Sequence, residues 1–202
     1  MIRIIMKADI PSPSIDKVQS YLNKWDSLEN YVMQESSLKK LFTATYPTNE
    51  SMDDVLIKVC ALNDFYSTKI FSPFKMAKHI VDLKIDERLT NSDYSLVNEI
   101  ALVKMNDSKT INFYSFATKY CSHHKPEEYP IYDSYVEKVL IHFKRVGRFA
   151  KFTKEELKNY IRYRNILIEF RRSYGLEKFN LKQLDKYLWQ LGKDYFYNIY
   201  NY

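Results

Sequence analysis

Glycine is nearly missing from this chain: Gly147, Gly175 and Gly192 are the only three in 202 residues, and none falls in the first 146. Loops that wrap a phosphate need glycine, because they require positive φ or a close backbone approach. A Walker loop, a GxGxxG turn and a glycine-rich kinase loop are therefore excluded, and a bound nucleotide cofactor with them. Cysteine is scarce as well. Cys60 and Cys121 have no CxxC spacing and read as unpaired thiols of a reducing cytoplasm. No apolar run approaches the roughly 20 residues of a membrane span. The opening MIRIIMKADI is too short and too polar for a signal peptide, so a cytoplasmic protein without a membrane segment is expected. Apolar residues are plentiful at 46%, aromatics at 16%. That composition excludes a disordered chain and supplies a real core.

Charge is unevenly spread. Residues 1–103 carry 12 Lys/Arg against 14 Asp/Glu, whereas residues 104–202 carry 19 against 11. Within 144–172 ten basic side chains stand against three acidic ones. A concentration of this kind attracts a polyanion, most simply nucleic acid, unless it is only a solvated helix face.

The apolar periodicity is helical almost throughout. Ile15, Val18, Tyr21, Leu22, Trp25, Leu28, Tyr31 and Val32 form one stripe, predicting a helix over 15–35. Ser51 with Asp54 caps a second over 52–64, and Ser72-Pro73 opens a third running to 84. Ser92 begins another that carries Leu96, Val97, Ile100 and Val103, and an aromatic helix comes next over 110–123. Pro126 to Pro130 fix a turn, after which Asp133 opens a helix to 146. Thr153 with Glu156 reads as a capping box for a long basic helix ending at 173, stopped by Gly175. Asn180 starts the last helix. The expected fold is all-α, one globular unit over 1–202 with about eight helices. A subdivision into a core over 51–146, with 1–50 and 147–202 as a second helical layer, fits the same pattern.

Two ordered segments carry a family resemblance. The first is Leu62-Asn63-Asp64-Phe65-Tyr66-Ser67-Thr68-Lys69-Ile70, leading to the helix from Pro73. The second is Ser115-Phe116-Ala117-Thr118-Lys119-Tyr120-Cys121, leading through Pro126 to Pro130-Ile131-Tyr132-Asp133-Ser134-Tyr135-Val136. Over 55–145 the chain resembles the helical core of the helix-hairpin-helix base-excision DNA glycosylases. The resemblance implies DNA as partner, extrusion of a nucleotide and cleavage of its N-glycosidic bond. It also implies that Asp133 is the carboxylate stabilising the sugar cation, although an aspartate at a helix start is equally a favoured N-cap. The loop 62–70 would probe the duplex through Asn63, Asp64 and Tyr66, and Lys109, Lys119, Lys144, Arg145 and Arg148 would contact phosphates.

Two features depart from that family. Its glycine-rich hairpin, whose amides hold a phosphate, is replaced by Lys104-Met105-Asn106-Asp107-Ser108-Lys109-Thr110. Its bifunctional members place a nucleophilic lysine about 18 or 19 residues before the aspartate, where this chain has Tyr114 or Ser115. The implied reaction is monofunctional, with water as the nucleophile and no cofactor. Cys121, His123 and His124 do not add up to a metal site, because zinc takes about four ligands in a closed set and further soft ligands such as Cys60 and His79 are few. Cys121 reads as a buried thiol, His123 and His124 as helix-end residues facing the C-terminal dipole, and Trp189 as packing for the last helix. Three functions are consistent with the sequence: a DNA glycosylase, a non-catalytic nucleic-acid-binding or defence module on the same fold, and an α-helical protein-interaction domain with incidental charge.

Overall fold

The computed structural model describes residues 4–6 and 10–198. Most of MIRIIMKADI, and with it the reading of that stretch as no signal peptide, lies outside the described residues. The chain is mostly helical. The described residues form ten α-helices, in order α1 (Ile15–Asp26), α2 (Glu29–Lys40), α3 (Met52–Tyr66), α4 (Pro73–Asp82), α5 (Ile85–Thr90), α6 (Leu96–Ala101), α7 (Tyr114–His124), α8 (Ser134–Val146), α9 (Tyr160–Ser173) and α10 (Leu181–Tyr195). Among the described residues there are also four short strands. β1 (Ile4–Met6) pairs antiparallel with β4 (Phe196–Asn198), and β2 (Leu102–Asn106) pairs with β3 (Lys109–Asn112). No helix of the described residues is long and apolar enough to cross a membrane.

Local chemistry explains most boundaries. The hydroxyls of Ser14 and Ser51 accept from backbone amides at N3, starting α1 and α3. Asn180 and Gln183 form a reciprocal capping box on α10. Gly175 takes φ +64, the left-handed conformation that ends α9.

Elsewhere the structure divides what periodicity had joined. The single helix expected over 15–35 is two, broken after Asp26, because Leu28 leaves helical geometry to start α2. The helix expected through Val103 ends at Ala101, and the aromatic helix begins at Tyr114 rather than 110. Between them lies the β2–β3 hairpin, closed where Asn106 accepts from the Ser108 amide. The stretch Lys104–Thr110 is thus part of a β-hairpin. The Thr153–Glu156 box is present, but it caps a short 3₁₀ turn; α9 starts later, with Asn159 accepting from the Arg162 amide.

One contiguous core runs from Ile10 to Phe196 and draws on every long helix. Helices α8 and α10 pack closely at Gly192, where an added Cβ would lie 2.6 Å from the Tyr135 Cβ and 2.8 Å from its carbonyl oxygen. Because the obstacle is largely backbone, Gly192→Ala is expected to destabilise the chain by about 1–3 kcal/mol, read as a lower urea midpoint at unchanged slope.

Candidate functional site

A turn holds Asp133 in place with unusual completeness. Tyr160 and Tyr163 of α9 donate their hydroxyls to the carbonyls of Pro130 (2.9 Å) and Ile131 (2.6 Å). Ser115 of α7 donates to the Tyr132 carbonyl (3.2 Å), and Thr118 accepts from the Tyr132 amide (3.1 Å). The turn is fixed from two helices before Asp133 caps α8, its Oδ1 accepting from the Tyr135 amide at 2.8 Å. Capping occupies one carboxylate oxygen; the residue also borders a cleft of about 260 Å³.

The cleft is assembled from distant parts of the chain. Trp25 ends α1, Tyr31 and Glu35 come from α2, Phe65 and Tyr66 end α3, Lys119 rises from α7, and α10 supplies Lys182, Asp185, Lys186 and Trp189. The α10 residues are spaced i, i+3, i+4, i+7 and so share one helix face. Trp25, Tyr31 and Trp189 meet at ring-centroid distances of 5.2–5.8 Å, two of the three pairs edge to face. Glu35 reaches across to Lys186 (2.6 Å) and Lys182 (3.3 Å). Those two ammonium groups hold its carboxyl below the ordinary glutamate range against the opposing effect of burial.

Two buried charges define the floor. Lys119 is 4% exposed; its Nζ donates to Ser115 Oγ at 2.6 Å and lies 5.2 Å from the centre of the Tyr66 ring. Burial pushes its pKa down, opposed by Asp133 and Asp185. Asp185 is 7% exposed, and burial pushes its carboxyl up to about 7. Among the described residues no donor is hydrogen-bonded to it, although Lys119 and Lys182 act on it electrostatically.

The residues expected at the site separate into three groups. Asp133, Tyr66 and Lys119 come together in the cleft. Asn63 does not reach it. Helix α3 continues to Tyr66, beyond the expected loop start, and the Asn63 amide is tied to that loop: Oδ1 accepts from Ile70 N and Thr68 Oγ1, and Nδ2 donates to the Ile70 carbonyl. Asp64 is exposed on the last turn of α3, and Lys109 is exposed at the hairpin; neither lines the cleft. Lys144 and Arg148 instead border a second, open hollow of about 490 Å³ with Lys151 and Phe152, and Arg145 is exposed nearby on α8.

Much of the basic segment 144–172 is engaged within the fold. Lys154 pairs with Glu137, and Arg162 with Glu156 and Glu169. Lys158 donates to the Tyr132 hydroxyl, Arg164 to the Glu128 carbonyl and Arg171 to the Phe179 carbonyl.

His123 and His124 do end α7, but not as exposed cations facing its dipole. His123 is buried and His124 half-buried, and desolvation pushes both down to about 3, so they are neutral at ordinary pH. His123 Nε2 lies 3.1 Å from the Tyr66 hydroxyl. Cys121 is buried, which raises its thiol pKa. Among the described residues no group of three or more His, Cys, Asp or Glu gathers as a metal site. Trp189 packs α10, as expected, and also walls the cleft. Asp185 and Glu35 escaped sequence reasoning. The signal for Asp185 was the stripe Lys182-x-x-Asp185-Lys186-x-x-Trp189, charged and aromatic where a purely structural helix would be apolar or solvated.

Fold and cleft together define a mostly helical protein with a half-enclosed, aromatic-walled site carrying a buried lysine and three carboxyl groups. Residues 17–128 match the HI_0787_N family, described as an N-terminal domain, and the chain belongs to that family. Over 146 residues it is 48% identical to an uncharacterized protein of Haemophilus influenzae, a match spanning 72% of this chain and 69% of the relative. No solved structure matches it. The family match ends at 128, so Trp25, Tyr31, Glu35, Tyr66 and Lys119 lie inside it, while Asp133, Asp185 and Trp189 lie C-terminal to it.

Proposed function

We propose that the cleft removes a base from DNA by breaking an N-glycosidic bond. The observation that carries this reading is the convergence of Lys119 and Asp133 on one aromatic-walled cleft. Asp133 is held before any reaction begins, as electrostatic stabilisation of a developing sugar cation requires. Trp25, Tyr31 and Trp189 offer faces and edges against which a planar base can stack. Lys119 stands 14 residues before Asp133, outside the spacing of the bifunctional glycosylases, yet it lines the same cleft. A desolvated lysine with a lowered pKa has the character of an amine nucleophile, which favours Lys119 over water. Attack of neutral Nζ on C1′ forms the N–C1′ bond while the C1′–base bond breaks. The base leaves with the electron pair and takes up the proton lost by the amine; the C1′–O4′ bond then breaks, O4′ takes the remaining N–H proton, and the lysine stays joined to C1′ as an imine.

Two further features support DNA as the partner. Phe71 is 89% exposed on the loop after α3, and an exposed apolar side chain on a loop can enter a base stack. Lys144, Arg148 and Lys151 have no ion pair among the described residues and suit phosphates.

The test is incubation with duplexes carrying uracil, hypoxanthine or an oxidised purine, then alkaline strand cleavage and, separately, borohydride trapping. Excision with a trapped protein–DNA adduct is expected. The adduct should vanish in Lys119→Gln, and Asp133→Asn should slow excision by about 10²–10³-fold. Excision without an adduct, surviving Lys119→Gln, would make water the nucleophile. No excision, but binding that weakens steeply between about 50 and 200 mM salt, would leave the non-catalytic nucleic-acid module. Neither excision nor binding would leave the protein-interaction domain.

A further inference from the structure

Asp185 presents a problem that its own surroundings do not solve. A buried carboxyl ordinarily has donors, and here none among the described residues is hydrogen-bonded to it. The cations that act on it are committed elsewhere: Lys182 turns to Glu35 at 3.3 Å, and Lys119 to Ser115 Oγ at 2.6 Å. The groups that act on Asp185 come from every side, namely Lys182 on its own helix, Lys119 and Tyr66 from α7 and α3, Glu35 from α2, Asp133 ahead of α8 and Tyr163 from α9. The carboxyl lines the cleft one helical turn from Trp189. Its missing partners are therefore to be sought in whatever fills the cleft.

We propose that Asp185 reads the base, accepting two hydrogen bonds from adjacent ring and exocyclic N–H groups, the edge that guanine-type bases present. This rests on the reading that the cleft takes a base, and it names which one. Adenine offers one donor beside an acceptor on the corresponding edge, and hypoxanthine has the ring N–H but lacks the amino group. A carboxylate accepts only, and its bonds to N–H donors are charge-assisted, so two donors suit it best. A site built to pair with both rejects the analogue that lacks one, because a buried lone pair is then left unmatched.

The chain has two tryptophans, Trp25 and Trp189, and both line the cleft, so intrinsic fluorescence reports directly on its occupancy. Titration with 9-methylguanine, 9-methylhypoxanthine and 9-methyladenine at pH 8 should give guanine an affinity about tenfold above either of the others. The guanine affinity should fall about tenfold from pH 8 to pH 6, because the accepting form is lost as the carboxyl takes up a proton. In Asp185→Asn, which pairs equally well with the ring N–H and carbonyl shared by guanine and hypoxanthine, those two bases should bind within about twofold of each other. Equal binding of all three bases by the parent chain, no binding of any, or a guanine preference that survives Asp185→Asn overturns the proposal. Because no bond is broken in these titrations, base binding without excision on duplexes would retain the base-reading site and reject only the cleavage chemistry.

Discussion

Asn49→Leu should destabilise the chain by roughly 3–5 kcal/mol at pH 7, the cost of stranding a buried charge. Asn49 is 1% exposed and lies just ahead of α3, outside any helix. Its Oδ1 accepts from Lys58 Nζ at 2.7 Å and from the Tyr120 hydroxyl at 2.6 Å, and His124 Nε2 lies 3.2 Å away. Its backbone and side-chain N–H groups both go to the Asp86 carboxylate. Lys58 is fully buried, and its only other acceptors among the described residues are the carbonyls of Tyr46 and Thr48. Burial already pushes Lys58 down to about 8. Leucine would remove the side-chain oxygen and leave the ammonium with two neutral carbonyls. The deficit should shrink as pH rises through 8, where folded Lys58 of the parent gives up its proton; the unfolded lysine titrates alike in parent and variant and cancels. Urea unfolding at pH 7 and pH 10 checks this. In a double-mutant cycle, adding Lys58→Met should recover much of the loss; equal, additive effects at both pH values would remove Asn49 from its role as the partner of Lys58.

Acid should destabilise the chain in a way that exposes Asp185. His123 and His124 are near 3 in the fold, against about 6.5 when unfolded. As pH falls through 6.5 the unfolded chain takes up two protons that the native chain refuses, so stability is lost at about 2.7 kcal/mol per pH unit around pH 5.5. Asp185 acts with the opposite sign. Its folded value is raised to about 7 from 3.8, so between those values the native chain holds a proton that the unfolded chain lacks. This offsets about 1.4 kcal/mol per pH unit of the histidine slope. The stability Asp185 lends is complete below pH 3.8 and is lost as pH rises through 7. Asp185→Asn should accordingly steepen the acid slope by about 1.4 kcal/mol per pH unit near pH 5.5. Above pH 7 it should make the chain more stable than the parent, by on the order of 2–4 kcal/mol. A site residue whose removal stabilises the protein is what a ligand-directed carboxyl produces. Denaturant titrations from pH 5 to pH 8 on parent and variant measure both effects. Parallel curves would show that Asp185 titrates normally and is not desolvated.

How much of this protein is legible in its sequence depends on how far each cause extends along the chain. The caps Ser14, Ser51, Asp133 and Asn180, the stop at Gly175, and the Pro126–Pro130 turn each depend on contacts within a few residues. Asp133 was identifiable for that reason: the turn that presents it and the helix it caps are written in adjacent residues. The β2–β3 hairpin was missed because Leu96, Val97, Ile100 and Val103 keep a helical spacing past the point where pairing with Lys109–Asn112 takes over. The break after Asp26 was hidden in the same way, inside one unbroken apolar stripe.

The site shows the division most clearly. Lys119 looked misplaced when judged by its spacing to Asp133, because linear spacing measures the length of a connection and not where its ends arrive. The turn pinned by Ser115, Thr118, Tyr160 and Tyr163 brings the two residues to one cleft. Asp185 and Glu35 are separated by most of the chain, and nothing local marks either as belonging with Lys119. By itself the sequence determined a mostly helical, glycine-poor chain, its principal caps and the aspartate at the head of α8, since short-range hydrogen bonding and periodic apolar burial need no distant partner. Only the tertiary structure decided that Lys119 and Asp185 lose their water, that the histidines of α7 stay neutral, and that three aromatic rings from two ends of the chain enclose one cleft. Desolvation and convergence depend on every element that packs around a group, and that information exists only once the helices have met.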